Sequence, residues 1–240
     1  MKDLSVVVFT HKNTGSIQRT IDSLKDRVVK NPDIIIGYDD DGDSKYKSFL
    51  IKYCEENNYK LCVSDKPNYQ NNIINAIKSV KSKYFIFLEH DWEFLQDIDI
   101  DKIVNLMNKH NNVNYIKFNK KHMYYKDGDL YFRRYGITHK AGAGTFDIPI
   151  EQTEMDGVPL LKIWSYSGNP HIVRTSFFND TVLPILKLNR HTSNSKDFER
   201  PITFLIKRKL SRLGKEKSHK MFGTYIYGKF GDEEYIKPIR

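Results

Sequence analysis

The first 95 residues alternate between short apolar runs and segments whose apolar positions recur at helical spacing. Strands that are apolar throughout, rather than at every second position, are typical of a parallel sheet covered by helices on both faces. This half of the chain therefore predicts an α/β fold with a mainly parallel sheet. The predicted strands cover residues 4–10, 33–38, 60–65 and 84–88, and the predicted helices cover residues 16–26, 45–58 and 71–82.

The second half of the chain has a less regular pattern. Asp156-Gly157 between two strand-like stretches predicts a β-hairpin. We find no internal repeat and no long linker, so we expect a single domain over residues 1–240. In this domain, residues 1–95 form one half and residues 96–240 form a mixed, partly antiparallel half. Further helices are predicted at 99–110 and 199–212, further strands at 114–120, 129–137 and 224–230, and a strand followed by a helix at 169–179.

Polar and charged residues follow each of the first four predicted strands. Right-handed crossovers bring the carboxyl ends of these strands to one edge of the sheet, where open α/β sheets bind their ligands. Acidic groups arrive from at least two strands, with cationic side chains between them, so we expect a binding site at this edge. The residues concerned are Thr10, His11 and Lys12, then residues 39–43, then Asp65 and Lys66, and finally Glu89, His90 and Asp91.

The sequence Glu89-His90-Asp91 ends the most apolar of these strands. Two carboxylates spaced in this way can reach one hard cation, whereas His90 points to the other side of an extended segment. Such a cation is usually held by one or two carboxylates together with diphosphate oxygens. The alternative is an ordinary solvated strand end.

The order of these segments resembles the nucleotide-sugar half of the GT-A glycosyltransferases of the family 2 type. The resemblance rests on an opening apolar strand, an acidic cluster after strand two, and an Asn-rich helix that leads to a strand ending in an acidic motif. It implies a GT-A fold, with Glu89-His90-Asp91 in place of the DXD motif and Mn²⁺ or Mg²⁺ as cofactor, bound by Asp91 and Glu89. Residues 39–43 differ from the usual Asp-Asp-Gly-Ser, so the aspartate that contacts ribose is left open. The implied nucleotide-sugar contacts are Thr10, His11, Lys12, Asp39, Asp40, Lys66, Glu89 and His90.

The same resemblance implies functional residues in the second half. A general base is expected at Asp197 or Glu199, because a helix N-terminus favours an anionic side chain, although an ordinary acidic first turn is the alternative. His219 is a candidate late metal ligand. For the aromatic candidates the alternative is core packing. The candidate acceptor-binding residues are Trp92, Trp164 and His171.

The function implied is metal-dependent, inverting transfer of a sugar from a UDP- or GDP-type donor to a hydroxyl of a glycan, lipid-linked or protein acceptor. A nucleotidyltransferase of related fold is one alternative. Those enzymes carry a glycine-rich loop after the first strand, whereas this chain has the single glycine Gly15 there.

The net charge of +9 is concentrated in residues 204–220, where Lys and Arg greatly outnumber the one Glu. Such a field attracts nucleic acid or an anionic membrane surface. A non-catalytic basic binding module is therefore a third alternative. Because we recognise no nucleic-acid-binding motif, we expect no nucleic-acid partner and a peripheral membrane contact through 204–220. Two cysteines, Cys54 and Cys62, and the absence of a long apolar segment predict a cytoplasmic protein.

Overall fold

The computed structural model describes residues 3–12, 14–64, 68–126, 129–134, 137–140, 150–189 and 198–239. Strands and helices alternate in the first half, and strands dominate the second. The strands are β1 Leu4–Thr10, β2 Asp33–Tyr38, β3 Lys60–Val63, β4 Tyr84–Glu89, β5 Trp92–Phe94, β6 Tyr115–Phe118, β7 His122–Lys126, β8 Asp129–Arg134, β9 Ile137–Lys140, β10 Glu151–Met155, β11 Val158–Ile163, β12 His171–Arg174, β13 Thr224–Tyr227 and β14 Ile236–Pro238. The helices are α1 Thr14–Arg27, α2 Ser44–Asn57, α3 Tyr69–Ile77, α4 Ile100–Lys109, α5 Thr175–Phe177, α6 Leu183–Asn189 and α7 Glu199–Phe222, with a π-helical turn at Phe178–Val182.

One nine-stranded sheet contains strands from both halves of the chain. Its order is β10-β11-β13-β6-β12-β4-β1-β2-β3. Strands β1 to β4 are mutually parallel, and β6 pairs in parallel with β13. Strand β12 is antiparallel to both of its neighbours, β4 and β6. The predicted α/β class with a mainly parallel sheet and a mixed second half is confirmed.

Each face of the sheet is buried against helices. Alternate side chains of β1 divide between the two faces, so that Val6 and Val8 join one apolar cluster and Val7 and Phe9 join the other. Helices α1, α2 and α4 cover the first face, and helices α3 and α7 cover the second. This double burial explains why the first four strands are apolar at consecutive positions.

The main differences from the prediction concern short elements and helix ends. Strands β5 and β14 have three residues each and pair with one another although they are far apart in the sequence. No local pattern of residues therefore predicts them. Helix α7 continues past residue 212 to Phe222, with a kink at Gly214, whose φ of 76° is in the left-handed region that glycine tolerates. None of the described helices is long and apolar enough to cross a membrane.

Candidate active site

A cleft of about 390 Å³ opens at the carboxyl edge of the sheet. Residues from β1, the loop after β2, the start of α3 and the end of β4 line this cleft. The structure therefore brings together residues from the ends of the first, second and fourth predicted strands, as the strand order predicts. The lining residues are Phe9, Thr10, His11, Asp39, Tyr69, Glu89, His90 and Asp91.

The carboxylate of Glu89 is held by two aromatic donors. The hydroxyl of Tyr69 donates a hydrogen bond to Oε1 at 2.6 Å, and the indole N–H of Trp92 donates to Oε2 at 3.4 Å. Burial raises the pKa of Glu89, and the nearby charge of Asp91 raises it further, while the two hydrogen bonds act in the opposite direction. The oxygens of Glu89 are thus fixed in direction at the floor of the cleft.

Asp91 differs from Glu89 in having its carboxylate available. Among the described residues, its side chain has no hydrogen-bond or ion-pair partner, while its backbone carbonyl accepts a hydrogen bond of 2.7 Å from Ile239 N. The extended segment that contains β14 therefore anchors the backbone of Asp91. The carboxylate is left to face the cleft.

His90 is directed toward the backbone of β1. Its main-chain N–H and its Nδ1 both contact the carbonyl oxygen of Phe9, at 2.9 and 3.3 Å, and its own carbonyl accepts from the hydroxyl of Thr20 at 2.6 Å. Burial lowers the pKa of the ring. These contacts give His90 a structural role at the junction of β1 and β4, in addition to its place in the cleft wall.

The acidic cluster after β2 divides into residues with different partners. Asp39 lines the cleft and accepts a hydrogen bond from the Asn68 backbone N–H at 2.6 Å. Asp40 lies outside the cleft lining and forms an ion pair of 2.7 Å with Lys47, whose hydrogen bond lowers the pKa of Asp40. The geometry therefore favours Asp39 over Asp40 as the residue that meets a ligand.

The residues after β1 lie across from this cluster. The buried hydroxyl of Thr10 forms a hydrogen bond with the hydroxyl of Tyr46, and the exposed side chains of His11 and Lys12 are oriented toward Asp41. Asp41, an aspartate not assigned by the sequence pattern, is thus the ion-pair partner of Lys12. Lys66 lies outside the described residues, as does Asp197.

Glu199 lies at the start of α7 and is tied to the loop before β12. Its Oε1 accepts hydrogen bonds from Gly168 N at 2.5 Å and from the Ser167 hydroxyl at 3.5 Å. A Cβ at position 168 would lie 3.0 Å from that same oxygen and 3.3 Å from Cζ of Phe198, so any larger residue would press on both side chains. A cleft of about 280 Å³ lies beside Glu199 and includes Tyr166 and Arg200 in its lining.

Tyr69 connects Glu199 to Glu89. Its ring centroid lies 6.3 Å from that of Phe198, the residue before Glu199, while its hydroxyl contacts Glu89. The charge of Glu199 is among the causes that raise the pKa of Glu89 and of Tyr69. The structure thus brings the candidate base and the acidic motif to the same edge, although the sequence separates them by more than 100 residues.

His219 lies at the opposite edge of the sheet from the acidic motif. Strand β13 is parallel to β4, and its first residue, Thr224, accepts a hydrogen bond of 3.0 Å at its carbonyl from His219 Nε2. Glu89 ends β4 at the other edge. The structure therefore does not bring His219 to the predicted metal site, because α7 runs back to the amino edge of the sheet.

The three predicted acceptor-binding aromatics pack in the interior. Trp164 is 1% exposed and its ring centroid lies 5.0 Å from that of His219, beside a separate cleft of about 420 Å³. His171 is fully buried and stacks on Phe87. Trp92 is 7% exposed. None of these rings is open to stack on a sugar in this structure, and core packing describes them better.

Two residues of the site were missed by the sequence analysis. Tyr69 begins α3 and positions Glu89. The sequence feature that could have indicated it is an aromatic residue directly after the helix N-cap Asn68. Lys117 interrupts the apolar pattern of β6, and burial lowers its pKa to about 8, while the charge of Glu199 acts in the opposite direction. A charged residue in an otherwise apolar strand was the available signal for Lys117.

The side chains at the acidic motif suit a divalent cation that is coordinated mainly by the phosphates of a bound molecule and by water. Among the residues that the structure describes, no group of three or more His, Cys, Asp or Glu converges as a complete metal site. Asp91 supplies one available carboxylate beside the fixed carboxylate of Glu89. Mg²⁺ and Mn²⁺ bind well with one or two carboxylates when phosphates and water complete the shell, so the residues fit such an ion.

A family model described as Glycosyl transferase family 2 matches residues 5–180. No curated protein sequence matches the chain. Similar folds occur in the crystal structure of S. aureus TarS, with a TM-score of 0.55, 11% identity, and coverage of 99% of this chain and 37% of that one. S. aureus TarS 1-349 in complex with UDP has a TM-score of 0.55 and 12% identity, over 98% of this chain and 59% of that one. GalNAc-T7 with UDP, GalNAc and Mn²⁺ has a TM-score of 0.60 and 13% identity, over 93% of this chain and 42% of that one. The chain thus spans less than two thirds of the length of these structures.

Proposed function

The chain belongs to glycosyl transferase family 2, and from this premise we propose that it transfers a sugar from a nucleoside-diphosphate sugar to an acceptor hydroxyl. The observation that carries the proposal is the juxtaposition of Asp91 and Glu89 with Glu199 at one edge of the sheet. Asp91 and Glu89 would hold the metal ion that binds the donor diphosphate, and Glu199 would act as the base for the acceptor hydroxyl.

The donor side of the cleft suits a nucleotide. Asp39 offers carboxylate oxygens to ribose or base hydrogen-bond donors, and Thr10 lies beside it at the end of β1. Mn²⁺ or Mg²⁺, held by Asp91 with support from Glu89, would neutralise charge on the departing diphosphate. Lys12, which forms an ion pair with Asp41, is the proposed cationic contact of the phosphates. Two of the similar structures were determined with UDP, which makes UDP-sugars the first donors to test.

We assign Glu199 as the general base that acts on the acceptor hydroxyl. Its carboxylate lies at the N-terminus of α7, where the helix dipole favours the charged form. The hydrogen bond from Gly168 fixes one oxygen and leaves the other to accept a proton from the acceptor hydroxyl. A base on one side of the sugar and a leaving diphosphate on the other correspond to inversion at the anomeric carbon. Such a base typically contributes about 10²–10⁴ in rate, and positioning of the two substrates contributes much of the remainder.

The family membership favours this reaction over nucleotidyl transfer and over a non-catalytic basic module. The direct test is release of nucleoside diphosphate from a panel of UDP- and GDP-sugars, with and without Mn²⁺ and with pooled glycan, lipid-linked and protein acceptors. We expect turnover with one donor class that requires Asp91. Equal product formation by wild-type protein and Asp91→Asn would contradict the metal assignment, and transfer of a nucleotidyl group would contradict the reaction.

A membrane surface is the proposed location of the acceptor. The outer face of α7 combines basic residues with the exposed apolar side chains of Phe204, 70% exposed, and Leu213, 39% exposed. Basic helices with exposed apolar groups bind anionic lipid surfaces. Sedimentation with anionic vesicles should decrease as salt increases and should weaken in Phe204→Ser. Equal binding to neutral vesicles, or no binding at low salt, would contradict this location.

A further inference from the structure

Residues 234–239, which we call the β14 strap, lie against the turn that carries Asp91. Strand β14 pairs antiparallel with β5, the strand that follows this turn, and the pairing sets Pro238 opposite Trp92. One residue beyond β14, the backbone N–H of Ile239 donates a hydrogen bond of 2.7 Å to the carbonyl oxygen of Asp91. A segment from the far end of the sequence thus contacts the acidic motif directly.

The turn between β4 and β5 consists of His90 and Asp91. The N–H of His90 donates to the carbonyl of Phe9 at 2.9 Å, and the carbonyl of His90 accepts from the hydroxyl of Thr20 at 2.6 Å. These two bonds hold the first residue of the turn from β1 and α1. The carbonyl of the second residue, Asp91, is held by Ile239. The β14 strap therefore acts on the residue whose carboxylate is available to a cation.

The β14 strap also reaches the other carboxylate of the motif. Trp92, which lies opposite Pro238 in the strand pair, is 7% exposed, and its indole N–H donates to Oε2 of Glu89 at 3.4 Å. A displacement of the strap would therefore disturb the donor to Glu89 and the carbonyl of Asp91 together. The two carboxylates share one support.

The other end of the β14 strap is anchored by separate contacts. The carbonyl oxygen of Asn119, directly after β6, accepts from the backbone N–H of Tyr235 at 2.8 Å and from that of Ile236 at 3.2 Å, and Ile236 is fully buried. Nε2 of Gln96 donates to the carbonyl of Glu234 at 2.9 Å. Loss of the single bond from Ile239 should therefore leave most of the strap in place.

We propose that the backbone N–H of Ile239 positions Asp91 for the divalent cation, which makes the β14 strap a positioning element of the donor site. A carboxylate is directed at a metal ion by its Cα–Cβ bond, and in a turn the neighbouring peptides set the direction of that bond. Groups that orient a metal ligand typically contribute about tenfold to a hundredfold in metal affinity. This role rests on the proposed function, because the cation is the one that Asp91 would bind for the donor diphosphate.

The variant Ile239→Pro removes this one N–H and changes no side chain of the cleft. The affinity of the full chain for UDP is measured by calorimetry with and without Mn²⁺. We expect the gain in UDP affinity from Mn²⁺ to fall by about tenfold. Binding of UDP without metal should equal that of the wild type, because Thr10 and Asp39 are unchanged.

Two control variants separate positioning from general support. Ile239→Ala changes the side chain but keeps the N–H, and Gln96→Ala removes a bond of similar length at the other end of the β14 strap. Both should keep the full gain in UDP affinity from Mn²⁺. Melting curves without ligand establish that each variant is folded.

Hydrogen exchange of the wild type gives a second measurement that needs no variant. Coupling between two binding events is reciprocal, so an ion that requires Asp91 in position must also strengthen the bond from Ile239. Exchange of the Ile239 amide should be slower with UDP and Mn²⁺ than with UDP alone. Exchange of the Leu95 amide, which donates to the carbonyl of Tyr235 at 2.8 Å, should not change.

The outcomes distinguish the positioning role from the proposed function. An equal gain from Mn²⁺ in wild type and Ile239→Pro would overturn the role, and so would loss of metal-free UDP binding in that variant. If Ile239→Pro does not fold, exchange decides, and an Ile239 amide indifferent to Mn²⁺ overturns the role. Wild-type protein that binds UDP without any gain from Mn²⁺ would refute the metal assignment and the role with it. Failure of any nucleotide to bind would refute the proposed function itself.

Discussion

The hydroxyl of Tyr69 donates a hydrogen bond of 2.6 Å to Oε1 of Glu89, and this contact fixes the first carboxylate of the acidic motif. Glu89 is mostly buried, so its charged form depends on the donors that surround it. Burial raises the pKa of Tyr69 well above its usual value, so that the phenol remains a donor at every physiological pH. The pair therefore links α3 to the end of β4 and holds a carboxylate where a metal-bound diphosphate is expected.

Removing this hydroxyl should impair the metal site more than the fold. In Tyr69→Phe we expect activity to fall by about tenfold to a hundredfold, because partners that orient a metal-ligating group typically contribute that much. The Mn²⁺ concentration for half-maximal activity should increase. Tyr53→Phe, on α2 and away from the cleft, is the matched control. Identical Mn²⁺ dependence in wild type and Tyr69→Phe would show that the contact is only structural.

Glu199→Gln tests the candidate base. The amide keeps an oxygen that can accept from Gly168, so the loop should remain in place. We expect kcat to fall by about 10²–10⁴, as for loss of a general base. The dissociation constant of UDP should not change, and Glu216→Gln at the opposite edge should behave as wild type. Retained turnover in Glu199→Gln would move the assignment to another carboxylate, with Asp197 the first to examine.

Gly168→Ala should displace Glu199 without removing its charge. An added Cβ would lie 3.0 Å from Oε1 of Glu199 and 3.3 Å from Phe198 Cζ, which is closer than ordinary packing allows. We expect a lower kcat with little change in UDP affinity, measured by steady-state kinetics and calorimetry. Wild-type kcat in a folded Gly168→Ala protein would mean that the position of Glu199 is not critical.

His171 should make stability depend on pH. Burial lowers its pKa to about 3, whereas in the unfolded chain it is near 6.5. Between these values the unfolded chain binds a proton that the folded protein does not, so stability decreases as pH falls through this range. In His171→Gln the decrease in unfolding free energy between pH 7 and pH 5 should be about 2 kcal/mol smaller. Urea titrations at each pH measure it, with His11→Gln as an exposed control, and equal slopes would contradict the assignment.

The local patterns of the sequence predict much of the fold and one side of the site. Strands buried on both faces must be apolar at consecutive positions, which makes β1, β2 and β4 visible without any long-range information. The parallel arrangement then dictates that the residues after each strand meet at one edge. For this reason Thr10, Asp39 and Glu89 could be placed together from the sequence.

The other side of the site depends on contacts between distant segments. Insertion of β12 between β4 and β6 brings the loop of Gly168 to the edge of the sheet where β4 ends, and Gly168 in turn holds Glu199. Nothing in the local pattern around His219 shows that α7 ends at the opposite edge. Likewise, aromatic residues such as Trp164 suit a sugar-binding surface and a core equally well in sequence, and only tertiary packing distinguishes the two.

Thermal unfolding with UDP or GDP, each with and without Mn²⁺, tests the central claim most directly when wild type and Asp91→Asn are compared. A ligand at 100 times its dissociation constant stabilises by about 2.7 kcal/mol, which corresponds to a shift of roughly 5–10 °C for a chain of this size. We predict such a shift for wild type with one nucleotide and Mn²⁺, and its loss in Asp91→Asn, whose melting temperature without ligand should be unchanged. No shift with either nucleotide in a folded sample, or an equal shift in Asp91→Asn, would contradict a metal-diphosphate site at the end of β4.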